Sequence, residues 1–194
     1  MSSSNIIDGI NYGPLASLIG HWQGDKGKDI APEPDGTEEN LFYETILYEA
    51  IGDVTNAEMQ VLAVLRYHQV VTRKSTNKVF HNETGYWSWD SKNGQITHSL
   101  TIPRGVCVLA GGEATIGDDG ATKIQVEANI DSQDWGIIQS PFMQKNARTI
   151  GFKQNVSVHN QSMHYKETTI LEIYGKRFDH TDENTLTKNK GTSD

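Results

Sequence analysis

His81 and Glu83 form the clearest pairing of chemically versatile side chains in the sequence. They lie two residues apart in a segment rich in β-forming residues, and alternate residues of a strand share one face, here with Val79, Trp87 and Trp89. Three interpretations follow: a core ion pair with a structural role, a pocket histidine that hydrogen-bonds a bound anion, or two metal ligands. The third interpretation lacks identifiable further ligands.

A second histidine, His180, lies near the end of the chain between Asp179 and Asp182. Imidazole is a common metal ligand, and neighbouring carboxylates either orient such a ring or face water. Phe178, two residues earlier, offers an aromatic surface. The structural alternative is a surface or turn histidine in a polar C-terminal segment.

Several familiar catalytic signatures are missing. The sequence contains no Gly-x-Ser-x-Gly elbow, no phosphate-binding glycine loop followed by Lys and Ser or Thr, and no histidines at zinc-binding helical spacing. Cys107 is the sole cysteine, which excludes an internal disulfide and cysteine-rich zinc sites, and we expect it to be a small buried residue rather than a nucleophile. These absences argue against a hydrolase or a nucleotide-dependent enzyme.

Charge and composition narrow the set of partners. The chain of 194 residues has a formal net charge of -8, which would repel a nucleic-acid backbone. No run of about 18 apolar residues occurs, and the opening Met-Ser-Ser-Ser-Asn has neither the basic nor the apolar region of a secretion signal. We therefore expect a cytoplasmic protein that binds a small molecule rather than nucleic acid or a membrane.

Alternation of Val, Ile, Thr and aromatic residues with polar ones recurs along most of the chain and predicts a β-protein. The longest run, residues 58–71, is apolar on both faces at its centre, which indicates cover on both sides. Turn signals separate the runs, the strongest being the two-residue hairpin signal Asn93-Gly94. Further strands are predicted at residues 41–50, 78–89, 95–101, 105–109, 123–130, 149–158 and 164–174.

Few segments depart from this pattern. Residues 14–19 begin with a proline where a first helical turn tolerates it and predict a short helix, whereas residues 131–146 predict a loop with at most one helical turn. The polar segments 29–40 and 184–194 are expected to be mobile. About ten strands at short spacing favour antiparallel pairing in one domain, closed into a barrel or stacked as a sandwich.

Three motifs and a late histidine follow one another along the chain. They are Gly20, Trp22 and Gly24 at alternate positions, then Phe80-His81-Asn82-Glu83-Thr84-Gly85-Tyr86-Trp87, then Pro103-Arg104-Gly105-Val106, and finally His180. In this order the sequence resembles the nitrobindins, haem-binding β-barrels similar in shape to fatty-acid-binding proteins. The resemblance covers nearly the whole chain.

The first motif departs from the family pattern at one position. The nitrobindin signature has glycine, tryptophan, glycine and glycine at alternate positions, and the fourth of these is Lys26 here. A glycine, Gly27, occurs one place later.

The resemblance implies a single antiparallel up-and-down barrel of about ten strands, similar to fatty-acid-binding proteins and lipocalins, with little helix. We expect residues 15–187 to form this domain, after an N-terminal extension over residues 1–14 and before a flexible tail over residues 188–194. The resemblance also implies haem b at one mouth of the barrel. Ferric haem there would bind nitric oxide or isomerise peroxynitrite to nitrate.

Site residues follow from the same resemblance. The late histidine of the family ligates the iron, so His180 is expected to be the axial metal ligand, with Phe178 against the porphyrin. His81 is expected on the opposite, distal side of the haem. Arg148 and Lys153 are the cations expected to bind the haem propionates. Any isomerase activity would then depend on the bound haem.

A second interpretation keeps the barrel without the haem. A small closed barrel can enclose one ligand, so the chain would be a non-enzymatic intracellular carrier of a fatty acid or another small apolar molecule. Arg66, Arg104 or Arg148 would then bind the carboxylate of the ligand.

Overall fold

Antiparallel strands make up most of the chain. The computed structural model describes residues 5–189, and the predicted all-β class is confirmed. The strands are β1 (Ile6–Ile7), β2 (Ile10–Asn11), β3 (Gly20–Glu33), β4 (Gly36–Asn56), β5 (Gln60–Arg73), β6 (Lys78–Asp90), β7 (Ile96–Ile102), β8 (Val106–Ile116), β9 (Thr122–Asn129), β10 (Ile137–Gln139), β11 (Ala147–His159), β12 (Ser162–Ile173) and β13 (Lys176–Lys188). A 3₁₀ helix at Gly13–Ser17 and a short helix, α1, at Pro141–Asn146 complete the described secondary structure.

Ten of these strands close into a barrel. From β3 to β9 each strand pairs with the next. Strand β9 then pairs with β11, β11 with β12 and β12 with β13, and β13 closes the barrel by pairing with β3. One edge of β8 has two neighbours, because residues 111–116 pair with β9 and residues 106–108 pair with β10. The predicted up-and-down barrel is therefore confirmed, with β10 as an additional short strand at one mouth.

Two segments that we expected to be mobile form strands instead. Residues 29–40 make up the end of β3 and the start of β4, which are joined by the two-residue turn Pro34-Asp35. Proline presets the first turn position, and Asp and Gly suit the next two, so Pro34-Asp35-Gly36 is a hairpin signal in an otherwise polar stretch. Residues 184–188 complete β13. Residues 1–4 and 190–194 of the predicted extension and tail lie outside the described residues.

The helices also differ in part from expectation. The helix predicted at residues 14–19 is a 3₁₀ helix, Gly13–Ser17, which follows the hairpin of β1 and β2. The segment 131–146 is more than a loop, since it contains β10 and α1. The Met143 amide donates to Ser140 Oγ and so caps α1. In residues 5–189, no helix has the length and apolar character needed to span a membrane.

A packed core fills the end of the barrel next to the 3₁₀ helix. Trp22, Leu15 and Leu18 are fully buried there, and Trp22 Nε1 donates to the Leu18 carbonyl at 2.6 Å. Trp87 is also buried, while Trp89 is half-buried. These large aromatic side chains fill the interior at this end of the barrel.

Cys107 is exposed, which corrects the expectation of a buried residue. Alternation along β8 turns Val106 and Val108 inward and Cys107 outward. Its Sγ lies 3.4 Å from Thr101 Oγ1 on the neighbouring strand β7.

A β-bulge in β3 explains the departure from the glycine–tryptophan signature. Gly24 pairs with Glu44 of β4, but Gly27 pairs with Phe42, so β3 holds one extra residue between these pairs. Its pairing with β13 shifts by one residue over the same stretch. Lys26 is exposed in the bulge, and Gly27 occupies the inward position that a regular strand would give to residue 26.

The bulge also decides which later side chains of β3 face inward. Asp29 is buried, whereas Lys28 turns outward and its Nζ lies 2.8 Å from Glu39. A Cβ atom at Gly27 would lie 2.0 Å from the ring of Phe42, so this position requires glycine. Bulge and glycine together place Phe42 and Asp29 on the inner wall of the barrel.

Candidate functional site

A cavity of about 290 Å³ opens at the mouth of the barrel away from the packed core. Its apolar lining includes Phe42, Val71, Phe80, Leu100, Met143 and Phe152. Its polar lining includes Asp29, Gln69, His81, Glu83, Arg104, Tyr165, Glu167, His180 and Asp182. An apolar wall with a few convergent polar groups is typical of a small-molecule site.

His180 lies in this cavity, within β13 rather than after the last strand. Its Nε2 is 2.6 Å from Oδ1 of Asp29 and 3.5 Å from Oδ2 of Asp182, and 29% of its side chain is exposed. Burial alone would lower the pKa of His180, but the hydrogen bond to Asp29 and the charge of Asp182 raise it above its ordinary value. Asp179 faces Arg177 on the outer surface and takes no part in the site.

Asp29 holds the His180 imidazole in place. Its side chain is 3% exposed, and its second oxygen, Oδ2, accepts a hydrogen bond from Asn40 Nδ2 at 2.8 Å. This charge-assisted hydrogen bond to a buried carboxylate fixes the orientation of the imidazole while no metal is bound. Asp29 was not predicted from the sequence, because its segment was expected to lie outside the strands. The hairpin signal at Pro34-Asp35-Gly36 could have revealed it.

His81 lines the same cavity and forms a second pair, with Glu83, at 3.4 Å between Nε2 and Oε2. Burial alone would lower the pKa of His81, but Glu83 reverses this effect and raises it. Burial alone would raise the pKa of Glu83, but the contact with His81 lowers it. Val79 does not share this face as predicted, because Phe80 is an extra residue in β6 relative to β5 and leaves Val79 exposed.

A hydrogen-bond chain runs from Glu83 into the core. Tyr67 Oη donates to Glu83 Oε1 at 2.5 Å, so the 2.9 Å contact of Tyr67 Oη with His98 Nε2 requires the histidine to donate. His98 stacks on Trp87 with ring centroids 3.9 Å apart, and burial lowers the pKa of His98 to about 4, which keeps it neutral. Its Nδ1 is buried without a partner among residues 5–189. We did not single out His98 from the sequence, although the alternating pattern of β7 indicates its inward position.

Two further carboxylic acids lie in or beside the cavity. Glu167 lines it, and burial, reinforced by neighbouring carboxylates, raises the pKa of Glu167 well above its ordinary value. Burial raises the pKa of Glu44 to about 7. Gln69, Tyr165 and Asn184 all donate to Glu44, at 2.6 to 3.0 Å. The interior is thus more acidic and more strongly hydrogen-bonded than the strand pattern alone indicates.

The cations predicted to bind haem propionates do not lie in the cavity. Arg148 pairs with Glu172 at 3.1 Å and Lys153 with Glu127 at 3.8 Å, and all four side chains are at least 42% exposed. Alternation along β11 explains this correction, since the lining residue Thr149 faces inward and Arg148 beside it faces outward.

Phe178 also lies outside the cavity lining. It is half-buried in β13, opposite Leu171 of β12, which does line the cavity. Directly paired residues share one face of a sheet, so Phe178 lies on the same face as Leu171 without lining the cavity, and its contact with a porphyrin stays a prediction.

Of the three arginines considered for a ligand carboxylate, Arg104 lines the cavity. Its Nη2 donates to the Phe80 carbonyl at 3.1 Å, and the ion pairs that arginines form within residues 5–189 all use the other four arginines. Its charge acts electrostatically on both His81 and His180. Arg66, by contrast, pairs with a glutamate on the outer surface at 2.7 Å.

The lining residues fit a haem in their donor chemistry. His180 and His81 bring two imidazoles to one cavity with an apolar wall, and Arg104 supplies a cation for a propionate. The Nε2 atom of His180 is engaged with Asp29, so iron bound at this nitrogen would replace the proton that the pair shares.

Comparisons with known proteins agree with the fold. Among solved structures, the crystal structure of Rv2717c from M. tuberculosis is similar, with a TM-score of 0.69 and 18% sequence identity over 91% of this chain and 95% of that chain. No curated protein matches the sequence. The family described as "THAP4-like, heme-binding beta-barrel domain" matches residues 11–188. This match confirms the resemblance to nitrobindin-like barrels, and the chain belongs to the THAP4-like haem-binding β-barrel domain family.

Proposed function

We propose that the chain binds haem b in the cavity at the open mouth, with His180 as the axial ligand of the iron. One observation carries this proposal: the histidine that the family resemblance selects lies in the cavity, and a buried carboxylate, Asp29, holds its ring. The contact with Asp29 uses Nε2, and iron would take the place of the proton shared there.

The chain's other residues have complementary roles in this proposal. Asp29 orients the His180 ring before haem binds, and the aliphatic and aromatic lining excludes water from the porphyrin face. Arg104 binds a propionate, the role that the sequence analysis gave to Arg148 and Lys153. Glu83 holds His81 so that its imidazole donates a hydrogen bond to an anion in the cavity.

When bound, ferric haem supplies a Lewis-acidic iron that can bind nitric oxide or convert peroxynitrite to nitrate. With Nε2 of His81 paired to Glu83, the proton at Nδ1 of the imidazole would orient the anionic oxidant. The apolar lining would limit competing reactions with water.

The test is a titration of haem-free protein with haemin, followed by absorption spectroscopy. We expect a saturable Soret shift at one haem per chain, and His180→Ala should weaken binding at least about tenfold. His164→Ala removes an exposed histidine from the outer face of β12 and should leave binding unchanged. A shift that survives His180→Ala, or no shift in the wild type, would contradict the proposal.

A second candidate function rests on Arg104. Arg104 is an exposed cation in the lining of a partly apolar cavity and has no carboxylate partner in residues 5–189, so it suits the head group of a fatty acid or a similar amphipathic acid. In this case the chain is a carrier without catalytic activity. Delipidated protein should bind a fluorescent fatty-acid analogue, and Arg104→Met should weaken binding whereas Arg66→Met should not. If the wild-type protein bound the fatty-acid analogue but did not bind haemin, this function would be favoured over the first.

A further inference from the structure

Three donor atoms from adjacent strands converge at one point of the cavity wall. One ligand atom each of Asp29, His180 and Asp182 lies within 4.8 Å of the other two. The imidazole Nε2 is 2.6 Å from the first carboxylate and 3.5 Å from the second. The register of β13 with β3 creates this arrangement, since Asp182 pairs directly with Asp29 and His180 shares the inward face of β13 with Asp182.

The charges of this cluster are poorly balanced by the protein alone. Like charges directly opposite each other on paired strands are destabilising, and both carboxylates lie largely away from solvent. A protonated His180 carries one positive charge, so within the cluster it offsets one of Asp29 and Asp182 and leaves the other to His81 and Arg104, which line the same cavity. The carboxylate of Glu83 lines the same cavity. A doubly charged cation at the shared point would offset both aspartates.

The spacing of the donor atoms suits a first-row divalent ion. With bonds of about 2.0–2.2 Å and angles of about 90–110°, two ligands of one ion lie roughly 3.0–3.5 Å apart. The 3.5 Å between Nε2 and Asp182 lies in this range, whereas the 2.6 Å between Nε2 and Asp29 is a hydrogen-bond distance that would lengthen when an ion replaces the shared proton. One imidazole with two carboxylates is a mixed nitrogen and oxygen donor set that such ions accept.

We propose that Asp29, His180 and Asp182 form a binding site for a divalent first-row transition-metal ion that needs no porphyrin. The His180 and Asp182 side chains are 29% and 26% exposed, so the ion faces the cavity and keeps a coordination position open. That open position would accept an anionic group of a ligand in the cavity. His81 is the further imidazole that faces the same space.

This site goes beyond haem binding and competes with it, because both use His180. A protein molecule that holds a bare ion at these three residues cannot also ligate haem iron through the same nitrogen. Zn²⁺ should therefore weaken haemin binding in a competition titration.

The experiment uses the full chain after chelator treatment and dialysis, with Co²⁺ and Zn²⁺ as probes. Calorimetry with Zn²⁺ and visible absorption with Co²⁺ should each show one ion per chain. His180→Ala and Asp182→Asn should lower the affinity at least about tenfold, while the exposed control Asp179→Asn should not change it. Asp182→Glu keeps a carboxylate and should retain more of the affinity than Asp182→Asn.

Circular dichroism of each variant separates loss of a ligand from loss of the fold. For the wild type alone, Zn²⁺ in excess should raise the Tm, as expected for a ligand that binds the folded state. Absence of saturable one-to-one binding in the wild type would overturn the site, and so would binding that survives in folded His180→Ala and Asp182→Asn. Haemin titrations of the same samples test the haem proposal separately. A protein that binds haemin but not the bare ion would contradict the ion site alone, and one that binds the ion but not haemin would contradict the haem proposal alone.

Discussion

Nε2 of His180 lies 2.6 Å from Oδ1 of Asp29, although 151 positions separate the two residues in the chain. Antiparallel pairing of the last strand, β13, with the first strand of the barrel, β3, brings them together. The contact therefore exists because the barrel closes. Any change that opens the ladder between these strands would also separate the imidazole from its carboxylate.

Replacing Asp29 with Asn should lower the free energy of unfolding by about 2 kcal/mol at pH 6, since hydrogen bonds to charged groups contribute roughly 1.5–3 kcal/mol. Against the effect of burial, Asp29 raises the pKa of His180 above 6.5. This stabilisation is fully present below that pH and is lost as the pH rises through the folded-state pKa. Urea unfolding at pH 6 and pH 9, in the presence of a chelator, measures the difference.

Asp179→Asn is the matched control, because Asp179 is an exposed aspartate one residue before His180. It should change stability by less than about 0.5 kcal/mol at either pH. Equal losses for Asp29→Asn at pH 6 and pH 9 would show that the contact with His180 is not ionic.

Glu83→Gln should lower the pKa of His81. Burial favours the neutral imidazole, and the charge and hydrogen bond of Glu83 reverse this preference. Glutamine keeps the size of the side chain and removes its charge, so the pKa should fall below the ordinary value of 6.5. NMR titration of the imidazole Cε1 proton follows the change, and the exposed Glu127→Gln serves as control. An unchanged pKa in Glu83→Gln would mean that the pair is not coupled.

The wild type should lose stability as the pH rises, and Glu44→Gln should remove this loss. Burial raises the pKa of Glu44 from 4.5 to about 7, so the stability it contributes is full below pH 4.5 and is lost as the pH rises through about 7. Between pH 5 and pH 8 the stability of the wild type should therefore fall relative to Glu44→Gln by about 2 kcal/mol. Denaturant unfolding at these two pH values tests this. The exposed Glu49→Gln should track the wild type, and a Glu44→Gln difference that does not grow with pH would contradict the argument.

The regular parts of the barrel follow directly from period-two alternation. His81 and Glu83 share the cavity wall as predicted, because β6 is regular between them, and strands such as β9 alternate between buried and exposed residues along their length. The family motifs added the position of His180, which no local pattern distinguishes from a surface histidine. The fold class, the strand topology and the positions of His81 and Glu83 on one face were therefore accessible from the sequence.

The errors have three separate causes. A bulge depends on the neighbouring strands, so single-strand alternation misplaced Val79 and could not explain Lys26. Arg148 and Lys153 were chosen by closeness in sequence to a family position, which does not determine the face of a strand. Asp29 was missed because its acidic surroundings resemble a loop in composition although they form a hairpin.

Deletion of Lys26 should leave the barrel folded and its site intact. The bulge gives β3 one residue more than both β4 and β13 need, so removing the exposed Lys26 lets Gly24 and Gly27 pair in regular ladders on both sides. Asp29 then keeps its inward position. We expect a loss of no more than about 2 kcal/mol, measured by urea unfolding.

Deletion of Gln125 is the matched control. Gln125 is also an exposed polar residue within a strand, but β9 pairs without a register shift with β8 and β11. Removing it turns every following inward side chain of β9 to the outer face, so this variant should not fold. If deletion of Lys26 is as damaging as deletion of Gln125, the bulge itself is required for closure, because the extra residue would then be needed by the neighbouring strands rather than merely tolerated by them.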